Sequence, residues 1–159
     1  MSGPDKVPML LDCYLDMEKE LKQLKNVTRH EIIKAIEEAR AHGDLKENAE
    51  YHAAKDQQGL TEARIKIIDS AITLAEVIDP TKLSGTRVLF GATVTMTDED
   101  DNKTTYQIVG DHETDVKSGR ISHSSPIGRA LIGRETGEEV EVTTPKGTIY
   151  YEIVLVEFI

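Results

Sequence analysis

Two carboxylates carry the clearest chemical promise in this sequence. Asp44 and Glu47 stand three residues apart in the turn Gly43-Asp44-Leu45-Lys46-Glu47-Asn48-Ala49-Glu50-Tyr51, where a helix opens and both can point the same way. Such a pair can hold a hard divalent cation only in part. Mg²⁺ takes about six oxygens, commonly one or two from protein carboxylates and the rest from water and substrate phosphates. Asp44 and Glu47 can therefore form half of a metal site, completed by whatever the turn reaches into. The plainer reading is that acids at a helix N-terminus meet the positive end of its dipole. On spacing alone the plainer reading is the stronger.

Other polar groups promise less. Arg40 and Lys55 flank the turn on opposite arms and can lie on one side of it, as solvated helix charges often do. Tyr51 can stack on a nucleotide, but packing on the opposite arm is the simpler expectation. His42 and His52 are ten residues apart, without the spacing of a helical metal site. Asp98-Glu99-Asp100-Asp101-Asn102 fails as a calcium loop, because Lys103 and Val109 stand where Gly and Glu are needed. It reads as a solvated hairpin turn. No Ser-His-Asp order, phosphate-binding glycine loop or nucleotide fingerprint occurs. Nothing supports a free-standing active site.

Two long helices must position the turn. Between Leu10 and Ile78 there is no proline, and the only glycines are Gly43 and Gly59. Tyr14, Met17, Leu21 and Leu24 mark an apolar seam, continued through Thr28 by Ile32, Ile36 and Ala39 after a slip in phase. At the slip, Thr28-Arg29-His30-Glu31 reads as a capping box, with Val27 and Ile32 as a hydrophobic staple. A break is expected there, then a helix to about His42 stopped by Gly43. A second helix, from about Asn48 to Glu76, carries Ile65, Ile68, Ile72 and Ala75. So short a connection folds the helices into an antiparallel hairpin. Its seam thins toward the turn, where Tyr51, Ala54 and Gln58 take the apolar positions, so the tip is expected to project.

Beyond Pro80 the texture changes. Eight of the eleven glycines lie there, and Arg87–Phe90, Ala92–Thr97, Thr104–Val109, Glu139–Thr143 and Thr148–Glu157 read as strands. The fold class expected is α+β, with a hairpin over 1–79 and a β-rich domain over 80–159. Composition narrows the function further. Acidic residues outnumber basic ones 29 to 19, a net charge of −10, which argues against a protein that mainly grips a phosphate backbone. One cysteine, Cys13, excludes an internal disulfide framework. Aromatics at 4% argue against a deep small-molecule pocket. No apolar run reaches the roughly 18 residues of a membrane span, and the first nine residues lack a signal-peptide core. A cytoplasmic protein with no membrane partner is expected.

The segment from Ala39 through Gly43-Asp44-Leu45-Lys46-Glu47-Asn48-Ala49-Glu50-Tyr51 to Gly59 resembles the tip signature of the bacterial transcript-cleavage factors of the GreA/GreB family. Ile121-Ser122-His123-Ser124-Ser125-Pro126-Ile127-Gly128-Arg129-Ala130-Leu131-Ile132-Gly133 resembles that family's second signature. The likeness runs from about Pro8 to the end. It implies an antiparallel coiled coil followed by an FKBP-like domain. It also implies an activity exercised through RNA polymerase: the coiled coil enters the secondary channel and stimulates cleavage of the RNA 3′ end in backtracked complexes. Asp44 and Glu47 then map onto the acids that help hold the second catalytic Mg²⁺, an ion shared with the polymerase and not bound stably by the factor alone. Arg40 and Lys55 match a basic patch facing the nascent RNA 3′ segment. Ser125, Pro126 and Ile127 match the loop that docks on the polymerase rim helices.

Departures lie away from the tip. Leu10 and Cys13 replace a threonine and a glycine common in the family, and His30 stands where a proline is common. An inhibitory relative of the same fold, a prolyl isomerase and a plain coiled-coil module are the rival readings. The intact tip acids favour a cleavage factor, and two Phe with no Trp disfavour an aromatic-lined isomerase pocket. A monomer is expected, because the hairpin satisfies its own seam.

Overall fold

The computed structural model describes residues 5–43 and 47–159. They form an α+β architecture of two compact units, one built on Tyr14–Ala75 and the other on Lys6–Cys13 with Glu76–Ile159.

The first unit is the helical hairpin. Helix α1 (Leu11–Gln23) and helix α2 (Arg29–Ala41) form one arm, and α3 (Ala49–Leu74) returns as the other. At 1.5 Å per residue, α3 is about 39 Å long. Met17, Ile32 and Ala39 are buried on the first arm, facing Ala54, Thr61, Ile65, Ile68 and Ala71 of the second. Ion pairs cross beside this seam: Glu20–Arg64 at 2.7 Å, Arg29–Glu62 at 2.8 Å and Lys25–Asp69 at 3.5 Å. Their side chains are about two-fifths exposed, so each contributes at most about 1 kcal/mol, and they serve mainly to set which arm residues face each other.

The break expected at Thr28 does not occur. Residues Leu24–Thr28 form a π turn within a continuous helical arm, Thr28 is helical (φ −58°, ψ −46°), and its side chain caps nothing. Val27 is exposed. The reason is the phase slip itself. Leu24 and Ile32 are eight residues apart, one more than a heptad, and a π turn absorbs a single extra residue while keeping the seam facing its partner. The second arm also ends earlier than expected, at Leu74. Ala75–Ile78 forms strand β2, paired with β1 (Val7–Leu10) in a two-stranded sheet. Here strand pairing overrides a sequence compatible with helix.

The main sheet of the second unit has the order β5-β4-β3-β7-β6: β3 is Thr93–Thr97, β4 Lys103–Val109, β5 Arg120–Ser122, β6 Glu139–Thr144 and β7 Gly147–Glu157. All neighbours are antiparallel except β4 and β5. A bulge opposite Thr95/Met96 interrupts the β3–β7 register and curls the sheet. One face buries Val94, Met96, Ile108, Val140, Val142 and Ile153 in a common core. Arg87–Phe90 is not a strand. Arg87 makes one isolated bridge to Glu135, and the turn closed by Ala92 N–H on the Leu89 carbonyl (3.0 Å) ends the pairing. Asp98 closes the β3–β4 turn, accepting from the N–H groups of Asp100 and Asn102 at 2.9 Å, so its carboxylate is consumed by the turn. Among the described residues no helix is long and apolar enough to cross a membrane.

Glu113 ties β1 to this unit. Its side chain is 1% exposed; Oε1 accepts the Leu10 N–H at 3.1 Å, and Oε2 lies 3.6 Å from Arg120 Nη2. Burial pushes its carboxyl above the ordinary glutamate value, against the opposing pull of the Leu10 N–H and Arg120. A raised carboxyl makes the native state bind more protons than the unfolded chain between the unfolded and folded pKa values, so its contribution to stability falls as pH rises through that window. Glu113→Gln keeps an acceptor for Leu10 and removes the titration. Urea unfolding from pH 4 upward should show wild type losing stability relative to Glu113→Gln across that window; a constant difference would contradict the assignment.

Candidate functional site

The hairpin turn is held at both ends by backbone geometry. α2 closes with the His42 N–H on the Ala39 carbonyl (3.1 Å) and the Gly43 N–H on the Arg40 carbonyl (3.4 Å). Gly43 follows at φ +122°, a left-handed conformation that glycine alone adopts without cost. Asn48 then caps α3, its Oδ1 accepting the Tyr51 N–H at 3.1 Å. Asp44 lies outside the described residues. Glu47 is exposed, lining a cleft with His42, Asn48, Ala49 and Glu50.

Glu47 therefore presents an unburied carboxylate beside the N-terminus of a helix. Its donor chemistry fits Mg²⁺, which takes hard oxygens and tolerates water or phosphate in its remaining positions. Among the described residues no group of three or more His, Cys, Asp or Glu is placed to hold a metal. His42 and His52 are exposed. Tyr51 is half-buried, and its ring meets that of His52 edge-on at 5.6 Å.

Arg40 and Lys55 are both exposed, on α2 and α3. Lys55 Nζ donates to Gln58 Oε1 at 3.0 Å, an engagement within its own helix that leaves the side chain at the surface.

The serine loop is the second site. Ser125 caps helix α4 (Pro126–Leu131), accepting the Gly128 N–H at 3.1 Å while donating to the Ser122 carbonyl at 2.7 Å. Pro126 takes the first helical position, where a missing N–H costs nothing, and is exposed. Ile127 packs against the sheet core and is only partly accessible. Sequence reasoning missed what lies beneath: the Asp111 carboxylate accepts from Ser122 Oγ and from Ser124 Oγ (3.2 Å). The Ser122 hydroxyl, then that of Ser124, holds the Asp111 carboxyl below its ordinary value. His123 turns inward, its ring edge-on to Phe90 at 5.6 Å. The spacing of Asp111 from the serines carried no periodic signal, because a three-residue strand brings them together.

These features define a class: a two-unit α+β protein pairing an acid-tipped helical hairpin with a curled β-sheet domain that displays a rigid serine loop. Residues 7–77 match the family described as the N-terminal domain of transcription elongation factors, and residues 83–158 match the C-terminal domain of GreA/GreB transcription elongation factors. Transcription elongation factor GreA of Sphingopyxis alaskensis is 56% identical over the whole of both chains. The factor of that name from Caulobacter vibrioides is 59% identical over 98% of this chain and 99% of its own. A solved structure, GreA factor homolog 1 of Thermus thermophilus, is 24% identical with a TM-score of 0.44, covering 96% of this chain and 99% of its own. The chain belongs to the GreA/GreB family of transcription elongation factors.

Gly128 tests the rigidity of the loop. A Cβ there would sit 2.2 Å from the Ser122 carbonyl oxygen and 3.1 Å from the His123 backbone, atoms that cannot swing aside. Gly128→Ala should cost about 1–3 kcal/mol in urea unfolding. Gly59→Ala, on an open face of α3 with nothing within 4 Å, should instead stabilise by about 0.5–1 kcal/mol. Equal effects would refute the close approach.

Proposed function

We propose that this chain binds bacterial RNA polymerase, inserts its hairpin into the secondary channel and stimulates the polymerase's own cleavage of the RNA 3′ end in backtracked complexes. The observation that carries this reading is the exposed Glu47 at the end of a helical arm about 39 Å long, within a turn sequence that also contains Asp44. Full-length identity of 56–59% to proteins named GreA supports it.

On this reading the factor is not an enzyme by itself. Asp44 and Glu47 would lend carboxylate oxygens to a second Mg²⁺ shared with the polymerase. In two-metal phosphoryl chemistry the ions activate the attacking water and stabilise the leaving oxygen. Arg40 and Lys55 would approach the RNA phosphates beside the tip. Ser125, Pro126 and the accessible part of Ile127 would dock on the rim helices, while Asp111 keeps their loop in shape. The protein would work as a monomer in the cytoplasm, where its polymerase is.

Stalled, backtracked complexes with end-labelled RNA and Mg²⁺ test the proposal. Wild type should release short 3′ fragments rapidly, and Asp44→Ala and Glu47→Ala should bind polymerase normally yet release them at least tenfold more slowly. A wild type that binds without stimulating would identify an inhibitory factor; stimulation surviving both substitutions would refute the tip assignment.

The length of the arms offers a second test. Removing one helical turn from each arm should abolish stimulation with helicity per residue unchanged, because displacement by an ångström already costs about a hundredfold. Retained cleavage would count against delivery by reach.

A further inference from the structure

One side chain closes the hairpin. Asn48 has an extended backbone (φ −87°, ψ 97°), and its Oδ1 caps α3 through the Tyr51 N–H. Its Nδ2 points the other way and donates to the Ala39 carbonyl, 2.5 Å away in the last turn of α2. A single amide thereby satisfies an orphan N–H where one arm begins and supports a buried carbonyl where the other ends. The orientation of the amide follows from its partners, since the oxygen faces a donor and the nitrogen an acceptor. Among the described residues, the buried seam side chains nearest the turn are Ala39 and Ala54, each with one methyl group.

We infer that Asn48 is a positioning residue for transcript cleavage: it pins the two ends of the turn together and so fixes Glu47, its neighbour in the chain and in the cleft. The inference rests on the function proposed above. Its chemical basis is that Asn carries a donor and an acceptor on separate atoms of a short stem. Aspartate keeps the cap but has no donor for Ala39. Serine also caps, and its single short hydroxyl does not span to the opposite arm.

Asn48→Ser and Asn48→Asp therefore separate bridging from capping, and Ser does so without adding charge. Both should keep wild-type helicity, slow exchange of the Tyr51 amide and wild-type affinity for polymerase. The Ala39 carbonyl ¹³C resonance should shift as its side-chain donor is lost. Cleavage at saturating factor should fall about tenfold to a hundredfold, a loss in rate and not in binding. Wild-type cleavage by either variant, with the Ala39 resonance shifted, would overturn the inference. Glu47→Ala, run alongside, separates the two ideas. If it loses cleavage while Asn48→Ser does not, only the positioning role fails; if Glu47→Ala cleaves normally, the tip reading fails and the positioning role with it.

Discussion

A rod made of two helices is stiff only while its apolar seam is unbroken, and this constraint governs the first unit. The seam is modest. Among the described residues eight side chains are buried in it, of which three are alanines and one is Thr61. Losing register over even one turn would leave too little to hold the arms. The eight-residue step from Leu24 to Ile32 threatens that register, and the π turn over Leu24–Thr28 removes the threat by looping out one residue. Cross-arm pairs lie on both sides of the correction, Glu20–Arg64 before it and Arg29–Glu62 after it, so the same two faces meet throughout.

The second unit meets a different constraint, the anchoring of short segments that have little area of their own. β1 has four residues, β5 three and α4 six. Each is held by polar or close-packed contacts in place of length. Glu113 anchors β1 through the Leu10 N–H, β5 lies beside β4 with its Ser122 hydroxyl on Asp111, and α4 rests its Gly128 against the Ser122 carbonyl. A buried carboxylate is an expensive anchor unless it is paired, and the Leu10 N–H and Arg120 limit that cost.

This contrast explains what could be read from the sequence. The hairpin was legible because heptad spacing is a long, repeated signal, and Gly43 marks its turn by backbone chemistry alone. Strands β3, β4, β6 and β7 were legible for a similar reason, to within a residue or two at their ends. Thr28-Arg29-His30-Glu31 misled because a capping box and a helix interior share the same residues; only the opposite arm decides, by holding the seam together. Arg87–Phe90 had strand composition without a full partner. The anchors Glu113, Asp111 and Asn48 were not legible as such, because each acts on residues brought near by the fold: Leu10 lies 103 positions from Glu113 in the chain. The exposure of Glu47 was legible from its place in the turn, while the cleft it shares with His42 and Glu50 was not.

Net charge connects the two units to the proposed work. A protein with a charge of −10 gains nothing from diffuse attraction to nucleic acid, so its net charge does not favour recognition of a transcribing complex through RNA alone. The proposed attachment would then rest on specific contacts, and the serine loop suits them: its cap, its buried glycine and its hydroxyl–carboxylate bonds leave little to order on binding. For the proposed role, an exposed carboxylate at the end of a helical arm suits chemistry in which a partner gathers the phosphate, the water and most of the metal site.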